Sequence, residues 1–419
     1  MNAYARAMAG CLIGSVAAVG AIRAAAGDAP TPVAEEDRER VEAEATSQAA
    51  EADRLFKAGA FAAALPLYEA ERGSRAVLGD TRYEAYALRA IGCCRYGLGD
   101  DDAAIAAWHR ARTLDARRDD TGFEGYDWLL IGQAHLRRGR AGDSERALRE
   151  ALPRLSMAVD RDHESDARLA LADALMRLGR PDEASEHLDR AEALAHALDD
   201  PTRLAAARLA SARVALARGE PGAAAEQADD ARRAFSGLGA KSQSALASRA
   251  LGEALADLDH LDAALAPLED AVAAHQGVGD YPALADDLAI LAAVRADAGD
   301  PAAAAEVARR AAQARRDAND LGGETEALVA LARYQGQAGR ELDSAATLAA
   351  AVAVARHEAT PAGFVRLLIL AATVTRQAGQ PVAAAALLDE AERTARAADN
   401  AALKRHVFEA RTSAAKPTR

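Results

Sequence analysis

The amino-acid sequence predicts an all-α protein built as a solenoid of helix-turn-helix repeats, and three observations lead to this class. Half of the residues are hydrophobic, most of these are alanine, and only 4% of the chain is aromatic. Alanine is the strongest helix former, and its small side chain lets helices pack closely. No long stretch alternates Val, Ile, Thr and aromatic residues as strands would. Glycine recurs every forty residues, which indicates a repeated unit.

The forty-residue period is visible at several positions of the unit. The recurring glycines are Gly59, Gly99, Gly139, Gly179, Gly219, Gly299, Gly339 and Gly379, and Asp259 takes the missing place. An alanine or serine follows each of them after five residues. An alanine follows after twelve residues in every copy but the first, which has Glu71. The chain therefore contains nine copies of one unit without an insertion or deletion.

Each unit also contains signals for helix ends. The residue directly before the first helix of the following repeat is aspartate or asparagine in seven places: Asp80, Asp120, Asp160, Asp200, Asp280, Asp320 and Asn400. Aspartate or asparagine there accepts a free backbone N–H group and caps the helix. Proline follows the recurring glycine by two residues at Pro181, Pro221, Pro301 and Pro381, and proline is favourable in a first helical turn. The glycine therefore ends a first helix, and a second helix begins about two residues later.

The second helix of seven of the nine units presents one large residue to the first helix. Each of these residues comes four positions, or about one helical turn, after the alanine or serine that follows the recurring glycine. They are Tyr68, Trp108, Leu148, Leu188, Leu268, Leu348 and Leu388. Small residues at fixed positions, such as Gly92 and Gly132, allow the two helices to approach closely. We expect the repeats to cover residues 45–400 and a capping helix with a polar outer side to follow at 401–419.

The spacing of these small, aromatic and aliphatic residues resembles the tetratricopeptide repeat (TPR), whose usual unit has about 34 residues. The forty-residue form is similar to the longer repeats of spindle-orientation adaptors and of bacterial TPR regulators. The resemblance implies a right-handed superhelix of about nine repeats. It also implies a concave groove, lined by the first helix of each unit, that binds a protein or peptide.

Charge and cysteine content exclude several classes of protein. The net charge of −13 argues against a nucleic-acid partner, which would require a basic face. Three cysteines, Cys11, Cys93 and Cys94, are too few for a disulfide framework in 419 residues. Arginine greatly outnumbers lysine, a bias that a GC-rich genome explains and that does not indicate phosphate recognition.

The N-terminus resembles a secretory signal. Arg6 precedes a short apolar stretch, and an alanine triplet at 24–26 precedes a proline-containing segment. We predict a signal peptide at 1–26 and a linker with the start of the first helix at 27–44. Export to the periplasm or the exterior is the prediction, and a cytoplasmic location is the alternative. The stretch is too short to predict membrane insertion of the mature chain.

No motif indicates catalysis, a metal or a cofactor. His163 and Glu164 lack the second histidine of a zinc-binding helix, and residues 237–242, GLGAKS, lack the full spacing of a phosphate loop. The stretch at 89–108, RAIGCCRYGLGDDDAAIAAW, combines two cysteines with three aspartates. Its aspartates begin a helix, where negative charge is favourable. We predict that Cys94 packs between helices and that Cys93 faces the groove, where its reactivity is testable.

The resemblance places positions 2, 5, 9 and 12 of each unit, counted from residue 45, in the groove; we call these the inner positions. The candidate partner-binding residues are Tyr86, Arg89, Cys93, Tyr96, Tyr126, Gln133, Arg213, Arg249 and Arg333. Ten of the sixteen aromatic residues lie between Phe56 and Trp128, and tyrosine is frequent at binding hot spots. Alternatively, these aromatic residues stabilise the N-terminal end. Arginine at inner positions is suited to carboxylates or carbonyl groups of a peptide.

Two functions remain open on this reading. The first is a non-catalytic scaffold that holds a peptide or partner segment in the groove. The alternative is a regulatory sensor whose array changes curvature when a peptide or ligand binds. The chain lacks the lysines and asparagines that line the groove of peptide-clamping members, which argues against a clamp for a terminal carboxylate.

Overall fold

The computed structural model describes residues 35–356 and 359–414, and throughout these ranges the regular structure is helical. The predicted signal peptide, Cys11 and the first part of the predicted linker lie outside the described residues. The chain forms two compact units, each containing several of the forty-residue repeats. The first unit ends at Ala210, and the second unit begins at Ser211. The predicted all-α class, a solenoid-type array of TPR-like helix pairs, is confirmed.

The first unit contains eight complete helices: α1 (Glu35–Lys57), α2 (Phe61–Leu78), α3 (Thr81–Gly97), α4 (Asp101–Ala116), α5 (Thr121–Arg137), α6 (Ala141–Met157), α7 (Arg161–Arg177) and α8 (Pro181–Ala197). Helix α9 (Pro201–Ala217) contains the division between the units. The second unit continues with α10 (Pro221–Gly237), α11 (Lys241–Asp257), α12 (Leu261–Val278), α13 (Tyr281–Asp297), α14 (Pro301–Asp317), α15 (Leu321–Gln337), α16 (Glu341–Ala355), α17 (Pro361–Gln377), α18 (Pro381–Ala397) and α19 (Ala401–Ala414). Within each unit, consecutive helices pack against each other.

The predicted helix ends are confirmed. Each predicted acidic or amidic cap accepts a backbone N–H group, as when Tyr83 N donates to Asp80 Oδ1 at 3.3 Å. The recurring glycines have positive φ, and Asp259 takes the same conformation with φ 60°. After Gly99, Asp100 N donates to Arg95 O at 2.9 Å and closes the end of α3. Glycine suits this position because a left-handed φ places no Cβ against the backbone.

The predicted packing of large on small residues is also confirmed. The large residues of the second helices are buried from Tyr68 to Leu388. A Cβ added at Gly92 would lie 2.3 Å from Trp108 Nε1, and one at Gly132 would lie 2.6 Å from Leu148 Cγ. Glycine at these positions therefore lets a bulky residue of the second helix lie directly on the first.

Among the residues that the structure describes, no helix combines the length and the apolar character needed to cross a membrane.

Candidate functional site

The inner positions of the first unit lie on α1, α3, α5 and α7, and their predicted binding residues differ in accessibility. Tyr86, Tyr96 and Gln133 are half-buried. Arg89, Cys93 and Tyr126 are buried, with at most 6% of each residue exposed. The sequence phase did not show how deeply neighbouring helices cover each residue.

Arg89 lies in a buried ion cluster with Asp115 of α4 and Asp127 of α5. Its Nε donates to Asp127 Oδ1 at 2.6 Å, and its Nη2 donates to Asp127 Oδ2 at 3.2 Å. The same Nη2 donates to Asp115 Oδ2 at 2.5 Å. The guanidinium carbon also lies 4.6 Å from the ring centre of Phe123. We call Arg89, Asp115 and Asp127 the first ion cluster.

A second guanidinium also contacts the first ion cluster, since Arg118 Nη1 lies 3.3 Å from Asp115 Oδ1. Burial raises the pKa of Asp127 to about 7, although Arg89 opposes this change. Burial likewise raises the pKa of Asp115 against the opposing effects of Arg89 and Arg118. Burial alone would lower the pKa of Arg89, but Asp127 and Asp115 raise it overall, so Arg89 stays charged. The raised pKa of Asp127 therefore favours its protonated form more than in an exposed aspartate.

These contacts correct three expectations about the groove. The Arg89 guanidinium is engaged by Asp115 and Asp127 instead of facing a partner. Burial raises the pKa of Cys93 to about 12, so its thiol is not poised to react. The ring of Tyr126 lies against His163, with 4.3 Å between the ring centres. The expected burial of Cys94 is confirmed.

The two accessible tyrosines of α3 contact the neighbouring first helices. Tyr86 Oη donates to Asp53 Oδ1 of α1 at 3.1 Å. Asp53 is itself at an inner position, so this hydrogen bond joins inner positions of two successive repeats. The guanidinium carbon of Arg137, on α5, lies 3.3 Å from the ring centre of Tyr96. A row of polar and aromatic groups therefore runs from α1 to α5.

In the second unit, Arg213 and Arg333 are exposed and Arg249 is half-buried. Arg333 Nη2 donates to Tyr334 Oη at 2.8 Å. Arg249 Nη1 donates to Asp286 Oδ2 at 3.2 Å, which again joins inner positions of successive repeats. Burial raises the pKa of Glu253, and Arg249 and Arg213 oppose the change.

Arg249 belongs to a second ion cluster, with His275 of α12 and Asp287 of α13. Arg249 Nε lies 3.2 Å from Asp287 Oδ1, and His275 Nδ1 lies 2.5 Å from Asp287 Oδ2. His275 and Asp287 are buried. On the exposed side, Arg315 Nη2 donates to Asp286 Oδ1 at 2.5 Å.

The two clusters occupy equivalent repeat positions, because each residue of the second lies 160 residues after its counterpart in the first. At the next interface of the first unit the same positions are Leu129, Leu155 and Ala167, and all three are buried. Sequence reasoning missed Asp115, Asp127, His275 and Asp287. The signal was available, since charged residues interrupt columns that are otherwise mostly small or apolar.

Within residues 35–356 and 359–414, no group of three or more His, Cys, Asp or Glu side chains is arranged to hold a metal ion.

Neither a protein-family model nor a curated protein matches the chain. Solved structures do match it. One is a Signal Transduction ATPase with Numerous Domains (STAND) protein with a tetratricopeptide repeat sensor from Pyrococcus horikoshii. It is 13% identical, with a TM-score of 0.62 and coverage of 90% of this chain. This chain spans 55% of the STAND chain.

Two further structures match over nearly their whole length. The apo quorum sensor NprR from B. thuringiensis is 11% identical, with a TM-score of 0.56 and coverage of 76% of this chain and 92% of its own. A Rap protein complexed with Competence and Sporulation Factor is 14% identical, with a TM-score of 0.53 and coverage of 89% and 99%. At this level of identity, the likeness concerns the fold. The chain has the fold of a tetratricopeptide-type repeat protein.

Proposed function

We propose that this chain is a non-catalytic interaction protein that binds a peptide or a partner segment along the inner positions of its first helices. One observation carries the proposal: in each compact unit, a hydrogen bond joins inner positions of two successive repeats. The Asp53–Tyr86 hydrogen bond does this in the first unit, and the Arg249–Asp286 hydrogen bond does it in the second. Repeat arrays use such extended faces for binding.

The accessible residues give each face a different character. In the first unit, Tyr86, Tyr96 and Gln133 offer two half-buried rings and one amide. Tyrosine buries a large area with few rotatable bonds, which favours a binding anchor. In the second unit, the exposed Arg213 and Arg333 favour an acidic or carbonyl-rich segment. The similarity in fold to a Rap protein complexed with Competence and Sporulation Factor, and to the quorum sensor NprR, supports a binding role.

The test begins with peptides selected by the purified chain from a random phage-displayed library. We expect Tyr86→Ala combined with Tyr96→Ala to weaken the selected peptides about 30-fold, the effect of losing a hot spot. The matched control is Tyr83→Ala, on the same helix but outside the inner positions, where Arg75 stacks on the ring at 4.5 Å. Equal affinity in the double variant and the wild type would place binding elsewhere.

A second candidate function, a sensor that changes shape on binding, is favoured by the first ion cluster. Its charges are buried at an interface between repeats, and packed interfaces with alternative ion pairing can switch between discrete arrangements. Small-angle scattering with and without a selected peptide separates the two functions. A sensor changes its radius of gyration, whereas a static scaffold keeps the same profile.

A further inference from the structure

Helix α1 has fewer buried residues than the helices that follow it. Three of its 23 residues are buried, Ala45, Ala52 and Phe56, whereas α3 buries nine of 17. The opposite face of α1 is exposed, with Ala43 and Ala50 on it. A helix at the end of an array that buries little apolar area opens at a lower free energy than the array as a whole.

Hydrogen bonds join α1 to α2 and α3 at two places. Asp53 Oδ1 accepts a hydrogen bond from Tyr68 Oη of α2 at 2.6 Å and one from Tyr86 Oη of α3 at 3.1 Å. One turn pair earlier, Thr46 Oγ1 accepts a hydrogen bond from Arg75 Nη2 of α2 at 3.3 Å. The attachment of α1 therefore depends on the charges around Asp53 and Arg75.

A buried carboxylate lies among these groups. Glu71 of α2 is 1% exposed, and the same position of the eight later repeats is a buried alanine, from Ala111 to Ala391. Arg75 Nε lies 3.9 Å from Glu71 Oε1, too far for a hydrogen bond. Among the described residues, none donates a hydrogen bond to either oxygen of this carboxylate. The first repeat therefore buries an acidic group, without hydrogen bonds, where the other repeats place a methyl group.

The groups around Glu71 come from all three helices. Burial, the largest effect, raises the pKa of Glu71 to about 7, from an ordinary value near 4.5. Arg75 opposes this change, but its Nη1 also lies 3.5 Å from Asp80 Oδ2. Asp53 of α1 and Asp80, which caps α3, carry like charge and raise the pKa further. Tyr86 of α3 also interacts with the carboxylate.

We propose that Glu71 is a pH-sensitive switch for α1, which stays docked on α2 and α3 while Glu71 is protonated and opens when Glu71 ionises. An ionised carboxylate without hydrogen bonds is costly between packed helices and stable in water, so it favours the open state. Opening also breaks the Asp53–Tyr86 hydrogen bond, so a change in pH reaches an inner position. The switch itself does not depend on the function proposed above.

Hydrogen–deuterium exchange of the full chain at pH 5.5 and pH 8.0 tests the proposal. Each exchange rate is divided by the intrinsic rate of an unstructured peptide at the same pH. The docked helix holds the Glu71 proton up to about pH 7, whereas the open helix releases it near pH 4.5. The protection of the α1 amides should therefore fall about 30-fold between the two pH values.

Two variants at the same position isolate the charge of Glu71. Glu71→Gln keeps the shape of the side chain without the charge, and Glu71→Ala restores the residue of the other repeats. In both, α1 should be equally protected at the two pH values. The matched control, Glu69→Gln, removes a carboxylate from an exposed position of the same helix and should retain the 30-fold fall.

Two results would overturn the proposal. One is a wild type whose α1 amides have the same protection at both pH values. The other is a pH-dependent fall that persists in both Glu71 variants. Unchanged far-UV circular dichroism verifies that each variant is folded.

Discussion

The two ion clusters place different chemistry at the same positions of the repeat. In the first unit, Arg89 faces two buried carboxylates, Asp115 and Asp127, and all three residues are nearly inaccessible. In the second unit, His275 replaces the first of these carboxylates, and the Arg249 side chain remains 17% exposed. The first cluster therefore holds two buried carboxylates, where the second holds one, and its arginine is less exposed. The same repeat positions can therefore hold a buried arginine with two carboxylates or with one carboxylate and a histidine. The two arrangements are expected to respond differently to mutation and pH.

The chain offers a selective probe for this comparison. Both of its tryptophans, Trp108 and Trp128, lie in the first unit. Tryptophan fluorescence during urea denaturation therefore reports unfolding of that unit, whereas far-UV circular dichroism reports helix loss along the whole chain.

The largest expected effect is that of removing the positive charge from the first cluster. Arg89→Leu leaves the buried carboxylate of Asp127 without its cation, while Asp115 keeps its ion pair with Arg118, and the free energy of unfolding should fall by about 3–5 kcal/mol. Arg249→Leu should cost less, because His275 still contacts Asp287 and Asp286 is partly exposed. Urea midpoints from fluorescence and circular dichroism measure the two losses. Equal losses would mean that the difference in burial between the clusters is energetically unimportant.

The second test of the difference between the two ion clusters is the dependence of stability on pH. Burial raises the pKa of Asp127 to about 7, above the ordinary value near 3.8, so the folded state retains a proton that the unfolded state releases. The contribution of Asp127 to stability should therefore fall as pH rises from about 4 to about 7, and this loss is complete above that range.

Asp127→Asn isolates this contribution, since the neutral amide keeps an oxygen for Arg89 but cannot ionise. The advantage of wild type over the variant, measured by fluorescence in urea, should decrease as pH rises from 5 to 8. A constant difference across this range would show that Asp127 does not change protonation on unfolding.

Replacing the whole first cluster should have the opposite effect on stability from removing Arg89 alone. Arg89→Leu, Asp115→Leu and Asp127→Ala together reproduce the buried Leu129, Leu155 and Ala167 of the next interface. Buried ion clusters replaced by packed apolar residues often gain about 1–4 kcal/mol. We expect the fluorescence midpoint in urea to equal or exceed that of the wild type. A large decrease would mean that the cluster is a net source of stability.

The smallest expected effect concerns a backbone difference between the units. Val159 has φ 58° at a junction where the second unit has Gly279 with φ 70°. A β-branched residue is strained in this conformation, and Val159 is 70% exposed, so little packing is lost on its removal. Val159→Gly should raise the free energy of unfolding by about 1 kcal/mol. Asp259→Gly, at φ 60° in the second unit, is the control and should gain less, because aspartate tolerates this region better.

Much of the fold was predictable from the forty-residue period. The aspartate caps, the glycines with positive φ and the large residues packed on Gly92 and Gly132 all lie where the sequence predicts them. These features depend on residues that are close in sequence or related by the repeat. The candidate site was less predictable. Tyr86 and Tyr96 are accessible at inner positions, but Arg89 and Cys93 are buried on α3 and Tyr126 is buried on α5, where its ring lies against His163.

The sequence by itself therefore determined the number and phase of the repeats, the helix boundaries and the side of each helix that packs. Helical periodicity and capping depend on residues close in sequence, and their recurrence every forty residues makes them recognisable in the sequence. Only the tertiary structure decided which charges meet. Arg89 and Asp127 are 38 residues apart in the chain, and their pairing depends on the distance and rotation between helices of successive repeats.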